Sequence, residues 1–284
     1  MRLLRRIAKK ILRVIPWRGW RHRRFLRHRD RRALPLVNST RGLRVLVLGV
    51  YLSDRIHSAV HIASTLAKTG PGIEVVQRWA AVGTPSTDPE LARVTAVSST
   101  ALRPKFELVN RALAGVEIET FDYVIVCDDD IYLPEDFLSS FLAHQQAFDF
   151  ALAQPARAWH SHFDHAFVLR RPWLMARRTR FVECGPLISV RRDAASFLIP
   201  FADPEQLWGL DLVWPIAIER RGLRMGIIDA IAVDHSLRPQ ATAYDKADHD
   251  AAMHRFLART EHLSMEEAFT ILDSYWKLPS TRAS

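Results

Sequence analysis

Two uninterrupted apolar runs, RVLVLGVY at residues 44–51 and FDYVIVC at residues 121–127, set the tightest limit on how this chain can fold. Neither alternates polar with apolar residues, so neither can keep one face in water. Short continuous runs of this kind are strands covered on both faces, as in a parallel sheet under helices. The intervening pattern agrees. Residues 55–68 have helical spacing through Ile56, Val60, Ala63 and Leu66, and residues 73–82 return to strand composition after Gly70-Pro71-Gly72. Residues 83–90 read as a loop, 105–113 as a helix, and 134–147 as a helix with proline in its first turn. Short strands are expected at 150–153, 180–184 and 186–190, a helix at 207–220 ended by Gly222, and a strand at 225–233. Ser264 and Glu267 form a capping-box signature for a last helix running to about Lys277. The alternation predicts an α/β fold, a Rossmann-type and mostly parallel sheet flanked by helices, over residues 35–284.

Charge separates residues 1–34 from that domain. Residues 1–32 hold fourteen Lys or Arg against the single acid Asp30, a local +13 within a total of +9, which leaves −4 for the rest. A nucleic-acid-binding domain spreads its cations over a folded face, so no nucleic-acid partner is expected. Leu3, Leu4, Ile7, Ile11, Leu12, Val14 and Ile15 recur at spacings of three and four opposite Arg2, Arg5, Arg6, Lys9, Lys10 and Arg13, which predicts a basic amphipathic helix stopped by Pro16. Trp17, Trp20 and Phe25 follow among arginines, a mixture suited to the headgroup layer of an anionic membrane. No run reaches the roughly 18 apolar residues needed to span a bilayer, and no secretory signal pattern is present. The expectation is a cytoplasmic protein held peripherally on the inner face of a membrane through residues 1–32. Cys127 and Cys184 lie in no disulfide or zinc spacing.

The chemistry concentrates after the second run, at Asp128, Asp129 and Asp130. Three adjacent carboxylates repel one another unless a cation or protons offset the charge. They fall at a strand's carboxyl end, where open α/β sheets bind ligands. An Asp-x-Asp pair there offers hard oxygens to Mn²⁺ or Mg²⁺, and a diphosphate can fill the remaining positions. A solvated acidic turn is the plainer alternative. Tyr132 stands where an Asp-x-Asp-x-Thr phosphatase requires threonine. The run GIIDAIAVDHS at residues 226–236 ends in Asp234 and His235, whose imidazole can serve a cation. In WGLD at residues 208–211, Asp211 is a helix cap or a general base for an acceptor hydroxyl.

The order FDYVIVCDDDI, FALAQPA, RFVECGPLISV, LWGLDLVW, GIIDAIAVDHS, within residues 40–240, resembles a bacterial and plant family of glycosyltransferase-like domains of unknown function labelled lysine-ketoglutarate reductase trans-splicing-related. More broadly it is similar to the GT-A glycosyltransferase superfamily. The resemblance implies Asp128 and Asp130 as metal and diphosphate ligands with Asp129 between them, His235 as the late metal ligand, and Asp211 or Glu183 as the catalytic base. It also implies that Tyr51, Asp54, Arg55 and Lys105 hold the nucleotide. Leu237, Arg238 and Pro239 depart from the small or apolar residues the family carries after its late histidine.

The implied activity is transfer of a sugar, of the hexosyltransferase kind, from a nucleoside-diphosphate sugar to a glycan or lipid-linked acceptor hydroxyl, as in surface polysaccharide or glycolipid synthesis. A non-catalytic, membrane-associated nucleotide- or glycan-binding protein on the same fold is the alternative. A nucleotidyltransferase is disfavoured because Gly49 stands alone where a glycine-rich phosphate loop would lie. Arginines at 170, 171, 177, 178 and 180 could meet an anionic acceptor, although a solvated basic face is the simpler reading. Trp159, Trp173, Trp208 and Trp214 are candidates for stacking on sugar rings, with core packing the commoner use.

Overall fold

The computed structural model describes residue 40 and residues 42–69, 72–203, 208–239 and 246–279. The basic segment at residues 1–32, with its expected helix, lies outside the described residues. Among the described residues no helix is long and apolar enough to cross a membrane.

The chain order is β1 (Leu43–Leu52), α1 (Ala59–Ala67), β2 (Ile73–Val82), α2 (Pro89–Val94), β3 (Thr95–Ser99), α3 (Lys105–Ala112), β4 (Tyr123–Cys127), α4 (Phe137–Ala147), β5 (Leu152–Arg157), β6 (Ala176–Thr179) and β7 (Leu187–Arg191). Then follow α5 (Arg192–Leu198), α6 (Leu210–Glu219), β8 (Met225–Val233), α7 (Lys246–Leu257), α8 (Met265–Ala268) and β9 (Ile271–Tyr275). All nine strands form one sheet in the order β3-β2-β1-β4-β7-β5-β8-β6-β9. β6 and β7 run against the other seven. The mostly parallel α/β sheet expected from the apolar runs is the sheet observed.

Both faces of the central strands are apolar, as those runs require. Along β1, Val45, Val47 and Tyr51 face a layer containing Ile62 and Leu66 of α1 and Phe137 and Phe141 of α4. Leu46, Leu48 and Val50 face Phe106 and Val109 of α3 and Trp214 and Ile218 of α6. Burying each such side chain is worth roughly 1.5–3 kcal/mol. Gly49 interrupts β1 because a Cβ there would lie 2.2 Å from the Trp79 ring. From β1 the chain winds outward through β2 and β3, then returns to place β4 on the other side of β1. That reversal opens a crevice between the carboxyl ends of β1 and β4.

The structure differs from expectation at several elements. Helix α1 begins at Ala59 because residues 55–58 turn toward the β4 tip, where Ser58 Oγ donates to the carbonyls of Asp129 and Ile131. Residues 180–184 are not a strand: the Glu183 N–H is taken by the Gln154 side chain at 2.5 Å. The strand falls instead at β6, whose ARRT sequence reads as polar because the charge of Arg177 is cancelled only by Asp229, from another strand. The short edge strand β3 and the helices α2, α5 and α7 had no sequence expectation, and α2 begins at Pro89, inside the expected 83–90 loop, because Asp88 caps it by accepting from Glu90 N. The Ser264–Glu267 capping box forms, but its helix stops at Ala268, and the expected continuation is β9. There Met175 N donates to Tyr275 O at 2.7 Å, and Tyr275 packs on Phe148 and Phe150, a pairing that satisfies the edge of β6 and that a helix could not supply.

Candidate active site

The acidic triplet is delivered by β4, whose five residues are all buried and therefore fix where the chain emerges. An isolated bridge joins the next turn to the end of β8: Tyr132 N donates to Asp234 O at 2.8 Å and Asp234 N to Tyr132 O at 3.1 Å. The bridge brings His235, more than a hundred residues away in sequence, to Asp130, with Nε2 3.0 Å from Oδ1.

Each carboxylate of the triplet meets a cation or donor from the chain. Asp128 Oδ1 lies 2.7 Å from Lys105 Nζ, which also donates to Cys184 O at 3.0 Å. Asp129 turns toward β1, accepting from Leu52 N at 2.7 Å and from the Arg238 guanidinium. Arg238 also reaches Asp130 at 3.2 Å and donates to Ile56 O at 3.1 Å. Burial pushes the Asp129 carboxyl up to about 6 against the opposing pull of Arg238. Burial also works against the Asp130 carboxylate, yet the hydrogen bonds it accepts from His235 and Arg238, with the Arg238 charge, hold that group below the usual carboxylate range.

Lys105, Asp128, Asp129, Asp130, His235 and Arg238 line a cavity of about 630 Å³. The same cavity is lined by Asp164, His165, Glu183, Trp208, Asp211, His249, Asp250, Met253 and Met265. Asp211 stands in the first turn of α6, after Gly209 at φ 96°, and the turn's N–H groups stabilise its carboxylate. Burial outweighs them and raises Asp211 to about 6. Burial likewise raises Glu183 to about 7, although Arg157 Nη2 donates to its Oε2 at 2.5 Å. Burial thus moves both carboxyls toward neutral pH, the range that suits a general base.

Of the expected site residues, Lys105, Asp128, Asp129, Asp130, Glu183, Asp211 and His235 share this cavity. Tyr51, Asp54 and Arg55 are not among its lining residues. Tyr51 is buried in the β1 layer, its hydroxyl 3.0 Å from Thr95 Oγ1 and accepting from Ser86 N, while Asp54 and Arg55 are exposed. Two residues carried no functional expectation, Arg157 at the end of β5 and Arg238. A cation closing the otherwise uncharged FALAQPAR run is the signal that marks the first, and the departure after His235 marks the second. The arginines between 170 and 180 serve the fold: Arg177 pairs with Asp229, Arg178 with Asp273 and Arg180 with Glu219, and Arg170 donates to Asp229 O. Trp208 lines the cavity beside His249, Trp214 is core, and Trp159 and Trp173 are exposed. Both cysteines are buried free thiols.

No protein-family model and no curated protein matches this chain. Solved structures do. A crystallised mycobacterial protein shares the fold, at 15% identity and a TM-score of 0.51 over 84% of this chain and 82% of that one. Residues 1–349 of S. aureus TarS, crystallised with UDP-GlcNAc, align at 13% identity and a TM-score of 0.49 over 79% of this chain and 69% of that one. GalNAc-T7, crystallised with UDP, GalNAc and Mn²⁺, aligns at 11% identity and a TM-score of 0.47 over 70% of this chain. The match spans less than half of the GalNAc-T7 chain, at 44%.

Proposed function

We propose that this chain is a glycosyltransferase that moves a sugar from a nucleoside-diphosphate donor to an acceptor hydroxyl. The observation that carries the reading is the meeting of Asp128, Asp129 and Asp130 with Lys105, Arg238 and His235 where the β1–β4 crevice opens into the cavity. Such a tip combines hard carboxylate oxygens with movable cations, which is what a pyrophosphate needs around it. Among the described residues no group of three or more His, Cys, Asp or Glu side chains is placed to hold a metal ion by itself. A Mg²⁺- or Mn²⁺-type cation would be held by Asp128 and Asp130 together with the donor's diphosphate. When bound, the cation screens the charge that develops on the departing diphosphate.

In this reading Lys105 and Arg238 exchange part of their pairing with the aspartates for the donor's phosphates. Asp211, with Glu183 as the second choice, takes the acceptor's proton if the anomeric centre inverts. In this reading the acceptor lies against Asp164, Glu183, Asp211 and Asp250, an end rich in carboxyls, while Arg177, Arg178 and Arg180 are committed to ion pairs within the fold. A hydroxyl-rich neutral glycan therefore suits that end better than a phosphate- or carboxylate-bearing group. Residues 1–32 are assigned to an anionic membrane surface, each cation worth about 1 kcal/mol near it. This suits a lipid-linked glycan acceptor and a place on the inner face of the membrane.

The test is to incubate the full chain with a panel of nucleoside-diphosphate sugars and Mn²⁺ or Mg²⁺ and measure nucleoside diphosphate release, with and without neutral glycans. The expected result is release from one donor class, stimulated by acceptor and lost in Asp130→Asn. Release from none of them, or release indifferent to that substitution, contradicts the proposal.

A further inference from the structure

We propose that Arg157 fixes the tautomer of His235, so that the imidazole serves the site as a hydrogen-bond donor to Asp130 and not as a ligand of the cation. The place of the cation rests on the function proposed above; the tautomer does not.

Arg157 is only 2% exposed, and its guanidinium is spread across the site. Nη1 donates to His162 O at 3.1 Å and faces His235 Nδ1 at 2.7 Å; Nη2 donates to Glu183 Oε2 at 2.5 Å and to Gly185 O at 2.8 Å. A guanidinium has N–H groups and no acceptor. The Nδ1 atom against it must therefore present its lone pair, and the proton of a neutral ring sits on Nε2. Nε2 points at Asp130 Oδ1, an acceptor at 3.0 Å, so both ring nitrogens are matched and neither keeps a lone pair for a metal. A doubly protonated ring would set two N–H donors head to head across the 2.7 Å contact.

Metal-bound histidines show the reverse polarity. Their second nitrogen carries the proton and donates it to a carboxylate or carbonyl, which leaves the first free to ligate. Around His235 the second nitrogen meets a permanent cation. The backbone adds constraint, because His235 N donates to Ser161 Oγ at 2.9 Å and His162 N to His235 O at 2.9 Å. Arg157 therefore acts through other groups. It aims His235 at Asp130 and holds Glu183 of the same cavity, which makes it a positioning residue.

The decisive experiment is ¹⁵N imidazole NMR on the full chain with labelled histidine, His235 being assigned by loss of its signals in His235→Gln. Wild-type protein is expected to show His235 as the neutral Nε2–H tautomer, both metal-free and in saturating Mg²⁺. Arg157→Lys, which still presents a donor, is expected to retain that signature, and Arg157→Met to lose it. The Nδ1–H tautomer in wild type, in either state, overturns the proposal, as does an unchanged signature in folded Arg157→Met. Should Arg157→Met not fold, the wild-type spectra alone decide. Because no substrate is present, a chain with the expected tautomer and no sugar transfer would lose the functional reading and keep this one.

Discussion

Two arginines are buried on opposite sides of β8, and they are used differently. Arg177 on β6 is wholly buried and its partner is too; it grips both oxygens of Asp229, at 2.7 and 3.0 Å, and donates to the carbonyls of Phe167 and Leu169. Nothing about it faces the cavity. Arg157, at the tip of β5, holds one oxygen of Glu183, keeps a buried Nε with no hydrogen-bond partner, and lines the cavity. A closed, bidentate pair between β6 and β8 belongs to the fold, and breaking it would strand a buried charge. An open, one-sided pair at the carboxyl tips holds Glu183 and His235 in position at some cost in unsatisfied polarity. Burial alone does not tell a structural ion pair from a functional one; the completeness of its hydrogen bonds does.

The sharpest way to break this contrast is to remove each cation. Arg177→Met strands the buried Asp229 and is expected to destabilise by about 3–5 kcal/mol, a fall in Tm of roughly 6–20 °C for a chain of this size. Arg157→Met is expected to cost less than about 2 kcal/mol, because Glu183, raised to about 7, can take up a proton when its partner is gone. Its transfer rate should nevertheless drop about 100-fold through misplaced groups. Equal losses of Tm, or an unchanged rate in Arg157→Met, would erase the distinction.

Two glycines probe the same regions with smaller effects. A Cβ on Gly226 would sit 2.3 Å from Arg177 O and 2.6 Å from the Phe150 ring, so Gly226→Ala must move backbone and should cost about 1–3 kcal/mol in chemical denaturation. A Cβ on Gly185 would meet Asp128 Oδ2 at 2.7 Å and Lys105 Nζ at 3.2 Å, the far ends of side chains that can give way. Gly185→Ala should therefore change stability by less than about 1 kcal/mol and lower the rate about tenfold by displacing the Asp128–Lys105 pair.

The smallest effect is in pH dependence. Burial raises Asp211 from 3.8 to about 6 and Glu183 from 4.5 to about 7. In that window the folded chain holds protons that the unfolded chain has released. The two carboxyls thus cost no stability at pH below about 4, and an increasing amount as pH climbs to about 7. Asp211→Asn is expected to flatten the resulting fall of Tm with pH by a few degrees, whereas Asp193, lowered by its bond to Arg191 on the surface, should leave that slope untouched when changed to Asn. An equal response in both variants would remove burial as the cause.

The central strands were legible because continuous apolar runs must be covered on both faces, and the place of the acidic triplet at a strand end followed from them, although a solvated turn would read the same in sequence. The capping box was legible as well, but not the length of its helix, since the chain beyond Ala268 answers to the open edge of β6. β6 was hidden for a related reason: Arg177 becomes a core residue only once Asp229 is beside it. Arg157 and Arg238 join the site through contacts 78 and 109 residues away in sequence, which no local pattern carries. Tyr51 marks the opposite case, a strand-end aromatic whose position suggested a ligand contact and whose hydroxyl is engaged by Thr95 and Ser86.

The account turns on a pyrophosphate bound at the β4 tip, and isothermal calorimetry tests this directly. Uridine, guanosine, adenosine and thymidine diphosphates would be titrated, with and without Mn²⁺, into wild type, Asp128→Asn and Asp130→Asn. The account predicts that one nucleotide binds wild type and loses at least about tenfold, or 1.4 kcal/mol, in each variant. Binding of none of the four, or equal binding to all three proteins, would contradict it.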